Sequence, residues 1–165
     1  MTTYYKLTDE HARTYGGCQW GENVTHSGTG RGPLCGPGWI HVYDHPLLAV
    51  LLNPIHANFQ HPRLWEAEGR GVTLDDHGLK RGVQTITTLR EIPLPVVTTT
   101  HRVAFAVLCG KAVCHDPAWT QWADNWLTGK NRTAAVEAAA AAAVALVPTS
   151  PFSLIALAEK AMRIP

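Results

Sequence analysis

Up to about Val97, short runs of alternating apolar and polar residues are broken by glycine and proline; beyond it, apolar residues recur at helical spacing. The β-prone runs of the first region are Thr3 to Leu7, Asn23 to His26, Trp39 to Tyr43, Leu64 to Glu68 and Val83 to Leu89. Between the second and third runs, Ser27 to Pro33 form a glycine-rich connection that can take positive φ cheaply. One helix interrupts this region. Asp44 is placed to cap it, Pro46 suits its first turn, and Leu47, Leu48, Leu51 and Leu52 give one apolar face before Pro54 restricts its continuation.

The second region opens on Pro93 and Pro95 in extended chain, with Thr98 to Thr100 as candidate caps. Val103, Phe105, Ala106, Val107, Val113 and Cys114 fit a buried helix or a buried strand, the helix being preferred. Asp116 and Pro117 then start a helix on which Trp119, Trp122 and Trp126 recur at i, i+3 and i+7 until Gly129 ends it. Thr133 to Leu146 reads as an alanine-rich helix stopped by Pro148, and Ser150, Pro151 and Ser153 open a last short helix carrying Leu154, Ile155, Leu157, Ala158 and Met162. The pattern predicts an α+β fold: a small, mostly antiparallel sheet with one packed helix, followed by a helical C-terminal third. Residues 1–165 are read as a single domain with a strand-rich part, 1–97, and a helical part, 98–165.

Composition narrows the function classes. A length of 165 residues is enough for one core. A net charge of +1 gives no footprint for a phosphate backbone, so general nucleic-acid binding is disfavoured. The opening Met-Thr-Thr-Tyr-Tyr-Lys lacks the basic and apolar regions of a secretory signal, and no apolar run is long enough for a membrane span. A cytoplasmic location follows as the expectation, with Cys18, Cys35, Cys109 and Cys114 as free thiols.

Chemistry is sought where polar groups cluster. Alternation puts Trp39, His41 and Tyr43 on one strand face and Ile40 and Val42 on the core face, which leaves an aromatic-flanked imidazole beside the glycine connection. Such a face can hold a planar ligand; its ordinary alternative is an imidazole satisfied by a nearby backbone carbonyl. Glu66 and Glu68 share a strand face and offer paired acids for acid/base work, or else a solvated face. Gly28, Gly30 and Arg31 superficially resemble a phosphate cradle, without the Lys-Ser/Thr ending of a P-loop. His41, His45, His56 and His61 lie near Cys35 in sequence, but their spacing fits no metal motif, and no metal site is assigned. The tryptophan stripe is core or an interface.

The runs Leu34 to His41, Asn53 to Asn58, Leu64 to Ala67 and Trp122 to Lys130 resemble a family of uncharacterised bacterial and phage proteins. That resemblance covers most of the chain and implies a phage or mobile-element context without an activity. Tyr4 to Thr8 and Gly38 to His41 also resemble, more faintly, the opening strand and Gly-x-Ile-His strand of the module shared by ADP-ribosyltransferases and RNA 2′-phosphotransferases. This second resemblance implies that His41 contacts a nicotinamide-nucleotide ribose and that Glu66 or Glu68 polarises it; the late catalytic Glu of that module has no counterpart here.

Three functions follow as expectations. The first is a small phage- or prophage-type accessory protein that binds a host or virion protein, or itself, through Trp119, Trp122 and Trp126. The second is a nucleotide- or NAD-using transferase acting through His41, Glu66 and Glu68. The third is a virion structural component. No cofactor is specified by the sequence.

Overall fold

A computed structural model describes residues 2–132 and 152–165. The chain divides into two compact units, Met1–Pro95 and Val96–Pro165, close to the change of pattern at Val97. The first unit contains strands β1 (Thr2–Thr8), β2 (Arg13–Thr14), β3 (Cys18–Gln19), β4 (Val24–Ser27), β5 (Ile40–Val42), β6 (Arg63–Asp75) and β7 (Arg81–Ile92), and helix α1 (Pro46–His56). The fold is α+β, and its sheet is antiparallel in the order β1-β6-β7-β4, with β5 also on β7. Strands β4 and β5 pair with successive stretches of β7, residues 85–88 and 81–83.

Each of the five sequence-predicted runs overlaps a strand, but β6 and β7 are much longer than their alternation suggested. Glycines that read as breaks are absorbed: the β6–β7 register shifts between Arg70 and Thr73, where Gly71 adopts φ 84°. A second shift falls at Glu66/Ala67. The short β2–β3 hairpin, too brief for a periodic signal, carries Tyr15–Gly17 at its tip.

The sheet bends back toward its own edge. Just beyond β5, Tyr43 exchanges two backbone hydrogen bonds of 2.9 Å with Tyr5 of β1, so that a strand attached to β7 also meets β1. Alternation then assigns an inner and an outer face. Tyr4, Val42, Ala67, Val83 and Ile86 cluster around Trp20 on the inner face, with Cys18 and Ile40 packed against them. Lys6 and Thr8 share the parity of Tyr4 and are buried as well, and Thr8 Oγ1 accepts a 3.1 Å bond from the Trp65 indole. The parity of Tyr5 and Leu7 points the other way, and α1 packs against β1.

Helix α1 begins one residue later than the Asp44 cap anticipated. His45 is the N-cap, its Nδ1 accepting from the Leu47 amide, and Pro46 occupies the first turn as read. Nor does Pro54 stop the helix, which runs on to His56. The stop comes from Asn53, a buried amide that exchanges two hydrogen bonds with the backbone of Phe59, and from Asn58 at φ 52°. Leu48 and Leu52 are fully buried, each contributing about 1.5–3 kcal/mol by leaving water.

The second unit contains α2 (Thr99–Val113), α3 (Pro117–Leu127) and α4 (Leu154–Ala161), with α2 packed on both of the others. The ambiguous run from Val103 is helical. Thr98 and His101 form a reciprocal capping box, and residues 103–110 are all buried. Asp116 caps α3 and Ser153 caps α4, each accepting a backbone amide. Lys111 of α2 and Asp124 of α3 form an ion pair. The alanine-rich segment Thr133 to Leu146 lies outside the described residues. Among the described residues, no helix is long and apolar enough to cross a membrane.

Candidate functional site

Strand β5 sets the site. Its core parity is as read, with Ile40 and Val42 on the inner cluster. Trp39, His41 and Tyr43 take the outer face, but that face is largely covered: Trp39 is 8% and Tyr43 5% exposed, and only His41 stays half-buried. The glycine connection does the covering. The Trp39 indole donates to the Gly32 carbonyl at 3.0 Å, and His41 Nε2 lies 2.6 Å from the Leu34 carbonyl oxygen. Leu34 and Trp39 sit over Gly82 of β7, where an added Cβ would displace the Leu34 methyl and crowd Trp39.

Gly28 and Gly30 are therefore structural in this fold. Gly28 lies so close to the Gly38 carbonyl that a side chain could not fit. Its amide donates to Gln84 O at 2.7 Å, and that of Gly30 to Gly38 O at 2.9 Å, so neither faces outward as a phosphate cradle requires. Arg31 is exposed.

The predicted acids do not join His41. Tyr43, Tyr5 and Glu66 form one row across three strands, which places Glu66 two strand spacings, about 10 Å, from Tyr43. Arg90 holds Glu66 at 2.7–2.8 Å across the next pair. Glu68 sits one step further along β6, opposite Thr3 and Thr87, half-buried.

What the fold does gather around His41 comes from three other segments. His56, at the end of α1, places Nδ1 3.1 Å from the Tyr43 hydroxyl and stacks on that ring with centroids 5.9 Å apart. Lys80, in the turn before β7, donates to the Cys35 thiol at 3.6 Å and pairs with Asp76 at 3.6 Å. Burial lowers the pKa of His41, partly offset by its bond to Leu34, with Lys80 lowering it further and Asp76 raising it. Burial first, then Lys80, brings His56 down to about 4. Burial raises the Tyr43 phenol above its ordinary value. The outcome at neutral pH is two uncharged imidazoles and a neutral phenol beside Lys80, Asp76 and Cys35. Nearness in sequence had already put Cys35, His41 and His56 together, but gave no sign of Asp76 and Lys80, which come from a hairpin turn. Among the described residues no group of three or more His, Cys, Asp or Glu side chains could hold a metal ion.

The tryptophans of α3 separate in depth. Trp126 is 4% exposed and belongs to the interior, with the Arg132 guanidinium 5.1 Å from its ring. Trp119 and Trp122 are half-buried and touch each other, ring centroids 5.7 Å apart. The chain matches no family model, no curated protein and no solved structure.

Proposed function

We propose that this protein works by binding another protein, a host or virion component or a second copy of itself, in the manner of a phage- or prophage-encoded accessory domain. The observation that carries the reading is the contacting pair Trp119 and Trp122, two partly exposed indoles one helical turn apart on α3. Tryptophan concentrates binding energy at interfaces because a rigid indole loses much water-exposed area at little conformational cost. The test compares the wild type with a Trp119→Ala/Trp122→Ala variant by light scattering across concentration and by affinity capture. The variant should keep its far-UV circular dichroism and lose self-association or one specific partner. Retention of every association by a folded variant would remove the basis for the reading.

A nucleotide-using transferase is the second reading, and one observation favours it: the half-buried His41 imidazole within the electrostatic reach of Lys80 and Asp76, and itself felt by His56. NAD at about a hundred times its Kd would raise stability by about 2.7 kcal/mol. No thermal shift at saturating NAD, together with no consumption of it, would dispose of this alternative. Ordered self-assembly into a regular particle would instead favour a virion structural role.

A further inference from the structure

Lys6 is 6% exposed on the inner face of the bent sheet. Its ammonium donates one hydrogen bond, 2.9 Å to the carbonyl oxygen of His41, and lies 5.1 Å from the centre of the Trp20 ring. An ammonium carries three donors and a full charge. Among the described residues no carboxylate forms an ion pair with it. The titratable groups around it are few: Tyr4 shares its strand face, Cys18 of β3 packs against the same cluster, and the His41 ring is felt from the opposite face of β5. Opposite it on β6 stands Trp65, which carries no charge.

Such a charge is costly to bury, and the cost is recovered whenever the surrounding structure opens and lets water in. The narrowest backbone pairing beside it is the junction of β5 with β1, a single isolated bridge. There Tyr5, the neighbour of Lys6, makes its two hydrogen bonds to Tyr43, two residues from the carbonyl that Lys6 holds.

We propose that Lys6 is a proton-operated latch on the β1–β5 junction, which opens more often when the side chain is an ammonium and stays shut when it is a neutral amine. The neutral amine still donates to His41 and no longer asks for hydration. Opening would also free Trp20 from the cation above it and shift His41, so a proton taken up on the inner face alters the outer cluster.

The test is amide hydrogen exchange at Tyr5 and Tyr43 in the full chain, corrected for the intrinsic pH dependence of exchange, with the Lys6 13Cε resonance followed in the same titration. The Lys6 signal should titrate at about 8, where burial against the weaker opposing influence of Cys18 places it, rather than at the ordinary 10.5. Protection of both amides should rise up to about a hundredfold from neutral to alkaline pH. Lys6→Met should show the high protection at every pH, and Cys18→Ser should keep the wild-type rise. Protection that ignores pH, an equal rise in Lys6→Met, or loss of the rise in Cys18→Ser would overturn the latch. Should Lys6→Met not fold, titration of Lys6 with the ordinary lysines in the wild type decides against it alone.

Discussion

On the outer face of β5 the His41 imidazole meets the Leu34 carbonyl, and Lys80 and Asp76 place both signs of charge nearby. On the inner face, beneath the same strand, the Lys6 ammonium meets the His41 carbonyl and an indole ring, with no carboxylate paired to it among the described residues. Imidazoles escape burial cost by staying neutral at physiological pH; an ammonium escapes only in alkali. The two faces of one strand should therefore make stability depend on pH at opposite ends of the scale.

The largest effect breaks the inner face outright. Trp20→Ala removes the side chain around which that cluster is built and should cost about 3–5 kcal/mol, measured by urea unfolding. Lys6→Met tests the same face in the other direction. It should stabilise the protein by about 1–4 kcal/mol at neutral pH, since it removes a buried charge without leaving another unpaired.

The sign of the alkaline dependence follows from which state holds more protons. With its folded value near 8 and its unfolded value near 10.5, Lys6 is protonated more in the unfolded chain across that window, so it makes stability rise with pH there. The buried Cys109 thiol, moved up from 9.0 to about 12 by burial, acts oppositely above pH 9. The gap between wild type and Lys6→Met isolates the lysine and should close as pH rises; a constant gap would show that the charge is not what the substitution removes.

On the outer face the window is acidic. His56 titrates at about 4 when folded and 6.5 when unfolded, so its contribution is complete above 6.5 and is lost as pH falls toward 4. For this half-buried ring the loss should be about 1–3 kcal/mol, and a His56→Gln variant should show a correspondingly shallower acid slope in thermal melts. The smallest effect belongs to Glu66→Gln. Its partner Arg90 is 69% exposed, so stability should change by less than about 0.5 kcal/mol. A loss of NAD binding in that variant would bring the acid back into a site from which its distance now separates it.

Much of the fold was legible in one dimension. Period-2 alternation located β1, β4, β5, β6 and β7, and the caps Thr98, Asp116 and Ser153 stand where short-range hydrogen bonding puts them. These signals are local, and local sequence carries them. Alternation puts Lys6 on one face with Tyr4 and Thr8, but it does not say that this face turns inward or that Trp20 will close over it from fourteen residues away. In the same way alternation assigned His41 to a face, while the clip from Leu34 and the approach of His56 and Lys80 depend on how a glycine loop, a helix end and a hairpin turn meet. Caps and periodicity placed most of the elements because each depends on neighbours a few residues apart, while the short β2–β3 hairpin and the choice of helix for α2 were left to the packed structure. Which polar groups lost their water, and which found a partner, was decided only when distant segments packed, because desolvation depends on everything that surrounds a group in space.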